Sequence, residues 1–545
     1  MKKVRAIICV LLALSVMYTL FACSGDKAGD TSAGTSGDTG QAAAQTGGSP
    51  AQQQNAEDKF VSLVVASAGG TGIFLPGVSP TESKAACSAV FDTVFYYDAQ
   101  KGEFYSNILS DWHFDGSMTL LMKLKPGVIF SNGDEATPED LLFSFLSNRE
   151  RGSAWFSMIP MDWDNCVLLD DGTVQIKVMA PYPPLLEQPV YLISEAWSRS
   201  VGWDSLEWYY PVGSGPYYCY DYLTDSHITL RLRDDYWNAA NTNFTVDEWI
   251  LKNYPDANTL AMDFEQGNID LTRLMIQSYD RFMREGGKGI DCLLKDMGTI
   301  TFFFMSNGSN PIFNDIAVRK AIAHACDWEQ LGYQRMGESM YLPANSFAVP
   351  GTEFNNPDVE IYKYDPDYAK SVLADAGYAP GDVVFDVYAM EGEGYKNFLE
   401  AMQYYLDQVG IKMNVEFGDV SSALARWVIP GGTDAGVLEN GNGSLTRDPF
   451  SNLDRYTLGF LFTFWNDDEV QGKIAEALFC PDRALQIKLY KDLQQYMHDN
   501  YICMPISLCT YVMGYKTDVF NAKDVDLYVY TESYCDLMML GQVAH

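Results

Sequence analysis

Histidine is scarce in this sequence, and the cysteines lack the spacing of a metal or disulfide site. The 545 residues contain no H-E-x-x-H pair and no C-x-x-C pair. These absences argue against a His-based zinc enzyme, a zinc ribbon and a disulfide framework. We therefore expect no metal and no cofactor, and most of the nine cysteines after residue 23 should be buried as small hydrophobic residues. The five histidines are His113, His227, His324, His498 and His545.

Motifs of common catalytic sites are also missing. No G-x-S-x-G elbow and no G-x-x-x-x-G-K-[ST] phosphate loop occurs, and the G-S-G-P stretch at residues 213–216 is typical of a turn. Adjacent acids such as Asp170 and Asp171 do not make a glycosidase pair, because those carboxyls must face each other across a cleft. The sequence therefore indicates a binding protein and no enzyme, with an exported hydrolase as the alternative.

Basic residues are few relative to acidic ones. Lys and Arg total 37 against 72 Asp and Glu, which gives a formal net charge of −35. A chain this acidic is repelled by phosphate backbones, so we expect no nucleic-acid partner. The content of 47% hydrophobic and 20% charged residues is that of a globular protein. Because 545 residues are too many for one core, two or three lobes are expected.

The N-terminal segment has the features of an export signal. Three basic residues within positions 1–5 precede an uncharged apolar run, as in a secretory signal peptide. The run ends in L-F-A-C at residues 20–23, which resembles the lipobox of bacterial lipoproteins and implies a diacylglycerol on the thiol of Cys23. The other interpretation of Cys23 is a chance or buried cysteine. We predict a signal peptide at 1–22 and a lipid anchor that holds the protein on the extracytoplasmic face of the cell membrane.

Residues 23–58 are predicted to form a flexible tether behind the lipidated cysteine. From Ser24 to Asp58 there is no aromatic residue and no Val, Ile or Leu. Such a segment cannot bury enough apolar surface to become ordered. No later stretch is long and apolar enough to span a bilayer.

From Phe60 onward, strand patterns alternate with helix patterns. Thr137, Pro138 and Asp140 form a capping signature for a helix. A single helix is predicted over residues 314–331, and another between Asp365 and Gly377. Alternating apolar residues at 411–417 indicate a strand, and a late helix is expected within residues 489–506. This alternation predicts an α/β fold.

Several ordered segments resemble the bacterial extracellular solute-binding proteins of family 5, typified by oligopeptide- and dipeptide-binding lipoproteins of ABC transporters. They are KLKPGVIFSNGDEATPEDLLFSF (123–145), PVGSGPYY (211–218), RLRDDYW (231–237), AVRKAIAHACD (317–327), YLPANS (341–346), YDPDYAKSVLADAGY (364–378) and LYKDLQQYMHDNYICMPI (489–506). The resemblance implies a two-lobed periplasmic-binding-protein (Venus-flytrap) fold of the large class, with an extra subdomain in the first lobe. Lobe I would comprise 59–95, 211–299 and 505–545, the inserted subdomain 96–210, and lobe II 300–504.

The resemblance also implies a function. Such a protein captures a small-molecule ligand between its lobes by hinge closure and delivers it to the permease subunits of an ABC importer. We expect a monomer that binds short peptides, with an oligosaccharide or another nutrient as the alternative ligand. A sensor or adhesin that binds without transport is a further alternative.

In peptide-binding members of this family, an aspartate shortly before an Asp-Pro pair holds the α-amino group of the ligand. The matching loop here is residues 437–450, in which the pair is present but the earlier aspartate is missing. Glu439 or Asp448 is expected to replace it. Asn440, Asn442 and Arg447 are expected to bind a sugar or a carboxylate, or else to form a turn with a solvated arginine.

Aromatic residues complete the candidate ligand site. Phe74 lies in the loop of residues 69–80, which helps to line the cleft in relatives. Trp427, Trp155 and Trp163 lie in or near segments that face the cleft in relatives, where such rings stack on sugars. Each tryptophan has a place in the core as its alternative role.

Overall fold

The computed structural model describes residues 60–67, 84–98, 101–151, 156, 159–274, 279, 289–419, 422–423, 426–427, 431–439, 446–453, 456–457, 464–531, 534–535 and 537–542. Within these ranges the side chains of a few residues, among them Glu439 and Cys535, are outside the description. None of the described helices has both the length and the hydropathy that a membrane span requires.

Strands occur along the whole described chain. They are β1 (Ser62–Ser67), β2 (Tyr96–Asp98), β3 (Glu103–Tyr105), β4 (Leu109–Asp115), β5 (Thr119–Leu124), β6 (Val167–Leu168), β7 (Val174–Lys177), β8 (Tyr217–Leu223), β9 (His227–Leu232), β10 (Glu248–Asn253), β11 (Leu271–Leu274), β12 (Ile290–Met305), β13 (Val384–Met390), β14 (Lys412–Gly418), β15 (Ala435–Glu439), β16 (Met504–Lys516), β17 (Val529–Thr531) and β18 (Tyr534–Cys535).

Helices alternate with these strands, as the sequence predicts for an α/β protein. They are α1 (Lys84–Val90), α2 (Pro138–Glu150), α3 (Glu195–Val201), α4 (Ala257–Glu265), α5 (Ile316–Ala325), α6 (Trp328–Met336), α7 (Pro366–Asp375), α8 (Glu393–Gln408), α9 (Phe450–Leu453), α10 (Asp468–Leu478), α11 (Arg483–Asp499), α12 (Ala522–Tyr528) and α13 (Leu537–Leu540). A short 3-10 helix at Pro183–Glu187 matters for the site described below.

Ten of the described strands form one mixed sheet in the order β14-β13-β15-β12-β16-β11-β1-β10-β9-β8. The strands at the β14 end belong to the sequence between 384 and 439, and those at the β8 end to residues before 275. The long strands β12 and β16 pair antiparallel in the middle and join the two parts. Separate clusters of buried apolar side chains lie on either side, one within residues 300–508 and one drawn from residues 63–271 and 513–540.

The pairing of β12 with β16 is interrupted at one point. Asp296 lies opposite Thr510 and Ile300 opposite Leu508, so residues 297–299 of β12 face a single residue of β16. Such a bulge bends the strand and increases its twist. The interruption divides β12 into two parts. The first part pairs with the segment of β16 that also pairs with β11, and the second part also pairs with β15.

Side chains hold the bulge in place. Gly298 has a φ of +66°, in the left-handed region that glycine adopts without strain, and its N–H donates to Oδ1 of Asp296 at 2.6 Å. The buried Asn452, in α9, accepts a hydrogen bond from the N–H of Ile300 at 3.2 Å. The bulge is therefore stabilised from within β12 and from α9.

Residues 96–210 contain a second, smaller sheet. Its strand order is β4-β5-β7-β6, and α2 packs on it around a third cluster of buried apolar residues drawn from residues 94–192. The predicted cap of α2 is confirmed, because Oγ1 of Thr137 accepts from the N–H of Asp140 at 3.3 Å while Oδ2 of Asp140 accepts from the N–H of Thr137 at 2.9 Å.

The G-S-G-P turn packs directly against the end of α1. The N–H of Gly215 donates to the carbonyl oxygen of Val90 at 2.9 Å. A Cβ atom on Gly215 would lie 2.5 Å from the carbonyl oxygen of Ala89, and one on Gly213 would lie 2.0 Å from that of Val90. These positions therefore require glycine for close approach of two backbones.

Two predicted helices differ from the structure. The single helix expected over 314–331 is two helices, α5 and α6, because the backbone of Cys326 is extended and the carboxylate of Asp327 accepts from the N–H of Gln330 to begin α6. The late helix expected within 489–506 is α11, which ends at Asp499 before β16 begins. The helix capped by Asp365 and the strand after Ile411 are confirmed as α7 and β14.

Candidate ligand-binding site

Residues 446–450 lie where distant parts of the chain meet. They directly precede or begin α9, and their side chains contact both the bulge of β12 and the 3-10 helix Pro183–Glu187. Sheet bulges and junctions between lobes are common places for binding sites. Residues 446–450 are therefore the part of the predicted ligand loop whose side-chain contacts the structure describes.

Arg447 forms an ion pair with the strand at the centre of the sheet. Its Nη1 lies 2.6 Å from Oδ2 of Asp296, the residue that begins the bulge of β12. The exposed fraction is 41% for the Arg447 side chain and 23% for the Asp296 side chain. Arg447 also has a φ of +55°, which a residue with a Cβ rarely adopts. An unfavourable backbone conformation of this kind persists where surrounding contacts hold it.

Two further contacts join this loop to residues 96–210. The hydroxyl of Thr446 donates a hydrogen bond to Oε1 of Glu187. The ring of Phe450 meets the ring of Tyr182 edge to face, with 5.8 Å between centroids. Burial, together with the nearby Glu187 carboxylate, raises the pKa of Tyr97, while the Arg447 guanidinium opposes that shift. Polar and aromatic side chains thus meet across this junction.

Asp448 has a structural position. It is buried, its Oδ1 accepts from the N–H of Phe450 at 2.9 Å, and its carbonyl oxygen accepts from the hydroxyl of Ser451 at 2.8 Å. The first of these bonds caps the start of α9, because it satisfies the N–H of the helix's first residue. Burial raises the pKa of Asp448 above its usual value. Glu439 and Asp448 are the two acids expected to bind an α-amino group of the ligand. The carboxylate of Asp448 is engaged in capping α9.

Trp427 lies in a small aromatic cluster of the core. Its side chain is 6% exposed, its indole N–H donates to the carbonyl oxygen of Tyr388 at 2.9 Å, and its ring meets that of Phe304 at 5.9 Å. This position corresponds to the place in the core that the sequence suggests as the alternative role of Trp427. Trp163 is partly buried and packs against the cluster within residues 94–192.

Other predicted site residues fall outside the description. Phe74, Asn440, Asn442, Trp155 and the lipidation residue Cys23 lie outside the described residues, so their predicted roles remain predictions. Glu439 is described only by its backbone, which ends β15 and pairs with Thr301.

Sequence reasoning missed Glu187 and Asp296. They lie 259 and 151 positions from the loop residues that they contact, so no local spacing connects them. The available signal is weak: Asp296 stands two residues before Gly298 in a strand, a pattern that is compatible with a bulge. Among the described residues, no group of three or more His, Cys, Asp or Glu side chains is arranged to hold a metal ion.

Relatives of known identity share this architecture. The chain is 24% identical to the oligopeptide-binding protein AppA of Bacillus subtilis, over 96% of this chain and 98% of that protein. It is 22% identical to heme-binding protein A of Haemophilus influenzae, over 79% and 83%. The solved structure of the ABC transporter-associated periplasmic binding protein DppA from Helicobacter pylori, in complex with peptide STSA, has a TM-score of 0.72 at 19% identity, over 88% of this chain and 98% of that one.

The likeness to the solved structure confirms the expected two-lobed fold. The sequence profile of the family described as "Bacterial extracellular solute-binding proteins, family 5 Middle" matches residues 103–460, which is more than half of the chain. Members of such a family are receptors for a solute, so the expectation of a binding protein and no enzyme is also confirmed. The chain belongs to the bacterial extracellular solute-binding proteins of family 5.

Proposed function

We propose that this chain is the substrate-binding component of an ABC importer and that its ligand is a short peptide held between the two lobes. The ligand class is carried by the likeness, over nearly the whole chain, to a protein named for oligopeptide binding. A similar fold solved with a bound peptide supports it. These relatives favour a peptide over an oligosaccharide.

We propose the lobe boundaries that the resemblance implies. Lobe I takes 59–95, 211–299 and 505–545, with 96–210 as its inserted subdomain, and lobe II takes 300–504. The separate clusters of buried apolar residues support this division, since each domain-like unit needs its own core. The bulge at residues 296–300 then lies at the hinge, where strands shared by both lobes can absorb a change of angle.

Glu439 is our candidate for the partner of the ligand's α-amino group. It ends β15 next to β12, in lobe II, and Asp448 is engaged in capping α9. In a closed and poorly hydrated cleft, replacing a charged acceptor by a neutral one weakens the bond to an ammonium group. Glu439→Gln should therefore lower peptide affinity about tenfold to a hundredfold. N-acetylation of the peptide should lower affinity for the unaltered protein by a similar factor, and the two losses should not add.

The ligand class is tested on the purified, unaltered protein. Native mass spectrometry detects any ligand that co-purifies, and calorimetry then compares a panel of peptides with a panel of oligosaccharides. We expect peptides to bind and to be recovered unchanged. Binding of a sugar without any peptide would overturn the ligand class, and turnover of the ligand would indicate the hydrolase instead.

We also propose that the protein is a monomeric lipoprotein on the extracytoplasmic face of the membrane, anchored through Cys23. The L-F-A-C sequence at 20–23 and the polar composition of 24–58 support this. Cys23→Ser should abolish the acyl mass and release the protein into the soluble fraction. A Cys23→Ser protein that still fractionates with membranes would contradict the anchor. Cys480→Ser is a matched control that keeps the lipidation residue.

A further inference from the structure

The contacts around residues 446–450 cross from one lobe to the other. On our lobe boundaries, Glu187 and Asp296 belong to lobe I, whereas Thr446 and Arg447 belong to lobe II. The hydroxyl of Thr446 donates to Glu187, and Arg447 pairs with Asp296 at 2.6 Å. Both acids therefore lie on the lobe I side of the junction, and both hydrogen-bond donors lie on the lobe II side.

Geometry ties this pairing to the hinge. Oδ1 of Asp296 accepts from Gly298 within the bulge, while Oδ2 of the same carboxylate meets Arg447. One side chain thus fixes both the bulge and the loop that follows β15. Arg447 keeps a positive φ in this arrangement, as expected when opposing contacts hold a residue in an unfavourable conformation.

An apolar contact accompanies the polar ones. Tyr182 and Phe450 meet edge to face across the same junction, and the 3-10 helix Pro183–Glu187 packs against α9. Aromatic pairs of this geometry are favourable beyond the area that they bury. Polar, charged and aromatic contacts therefore act together at one place.

We propose that Glu187, Asp296, Thr446 and Arg447 form a clasp that holds the lobes together and does not bind the amino or carboxyl terminus of the ligand. This inference rests on the proposed function, because it assigns a role within ligand capture. Arg447 is then a positioning residue, bound to Asp296, and not the receptor of a ligand carboxylate. The clasp stabilises the closed form by the same amount whichever ligand lies in the cleft.

Substitution of a clasp residue should lower the affinity for a peptide by a factor that does not depend on the chemistry of the peptide's termini. Arg447→Gln and Thr446→Val should each weaken binding about threefold to thirtyfold, mainly through faster dissociation. For each variant, the affinity relative to the unaltered protein should fall by the same factor for the unmodified, N-acetylated and C-amidated forms of one peptide. Calorimetry and stopped-flow dissociation measure these factors. Arg199→Gln removes a comparably exposed arginine from its pair with Glu150 and serves as the control.

Two outcomes would overturn the clasp. If Arg447→Gln weakens only peptides with a free carboxylate, Arg447 reads the ligand. If Arg447→Gln and Thr446→Val leave every affinity unchanged, the contacts do not contribute to closure. Thr446→Val exchanges a hydroxyl for a methyl group, so retention of the fold is expected, and circular dichroism verifies it. A double-mutant cycle of Glu187→Ala with Thr446→Val should show coupling, because both changes remove one hydrogen bond.

A measurement without ligand separates this inference from the proposed function. Small-angle scattering of the ligand-free protein should show a larger radius of gyration for Arg447→Gln and Thr446→Val than for the unaltered protein and for Arg199→Gln. If no peptide binds, the proposed function fails while scattering still decides the clasp. If peptides bind but scattering does not change in either variant, the clasp is wrong and the receptor role stands.

Discussion

Asp92 is a carboxylate buried in the core of this protein. It has no exposed surface, and it accepts hydrogen bonds from the hydroxyl of Tyr236 at 3.0 Å and the indole N–H of Trp237 at 2.8 Å. Its backbone N–H donates to the hydroxyl of Ser214 within the G-S-G-P turn at 2.9 Å. Burial raises the pKa of Asp92 to about 7, although the hydrogen bonds and the positive charge of Arg233 oppose this shift.

The raised pKa of Asp92 makes a prediction about stability and pH. Between its unfolded pKa near 3.8 and its folded pKa of about 7, the folded state binds more protons than the unfolded state. The contribution of Asp92 is therefore complete below the lower value and is lost as the pH rises through the higher one. The free energy of unfolding should decrease by at most about 1.4 kcal/mol per pH unit in that window.

Asp92→Asn tests this contribution. The amide keeps an acceptor for Trp237 and can donate to the hydroxyl oxygen of Tyr236, so the fold should be retained. Urea unfolding at several pH values should show that the variant gains stability over the unaltered protein as the pH rises from 5 to 8. The exposed Asp358→Asn controls for loss of one charge. An advantage of Asp92→Asn that stays constant with pH would refute the assignment.

At the scale of the residue, local roles could be predicted and long-range roles could not. The capping of α2 by Thr137 and Asp140 is a property of four consecutive residues, and it is confirmed. The cap made by Asp448 and the core position of Trp427 depend on burial that folding creates. The pair of Arg447 with Asp296 joins residues that are 151 positions apart. No sequence period of a helix or strand specifies such a pair.

At the scale of the element, helix and strand types could be predicted more accurately than their limits. The apolar pattern continues across Cys326, so nothing in the period indicates that α5 ends there. The break arises because Asp327 caps a new helix, a choice between two competing local structures. The bulge of β12 escaped prediction as well, since register is set by the partner strand and not by the strand itself.

Asn452 provides a test of the bulge. Asn452→Leu conserves approximate volume but leaves the N–H of Ile300 buried without its side-chain acceptor. The free energy of unfolding should fall by about 1 to 3 kcal/mol, as measured by urea denaturation. Amide exchange at Ile300 should also become faster. Asn258→Leu, at an exposed position of α4, should change stability by less than about 0.5 kcal/mol. Equal effects of the two substitutions would show that Asn452 does not hold the bulge.

At the scale of the whole molecule, most of the cysteine side chains that the structure describes are buried. The structure describes eight cysteine side chains, of which Cys292 and Cys480 are only partly buried and the other six are buried. Burial raises the pKa of Cys87 and of Cys503 to about 12, which suppresses the reactive thiolate. This agrees with the expectation from sequence that most cysteines are packed as small hydrophobic residues.

Thiol chemistry on the folded protein tests this description. Brief alkylation at pH 8 should label Cys480 first among the described cysteines, and the buried ones should react only after unfolding. Rapid labelling of Cys87 in the folded state would contradict its assignment as a buried thiol.

The central place of β16 has a consequence for how the chain folds during synthesis. β16 lies between β11 and β12, yet it is made of residues 504–516, about two hundred residues after the end of β12 and farther still after β11. Until the ribosome has released that segment, β11 and the first half of β12 lack the partner that they share in the finished sheet. Long-range pairing of this kind is slow and leaves strand edges open to aggregation. The sheet of the nascent protein therefore stays incomplete until residues 504–516 have been made, and the open edges of β11 and β12 are exposed to aggregation up to that point.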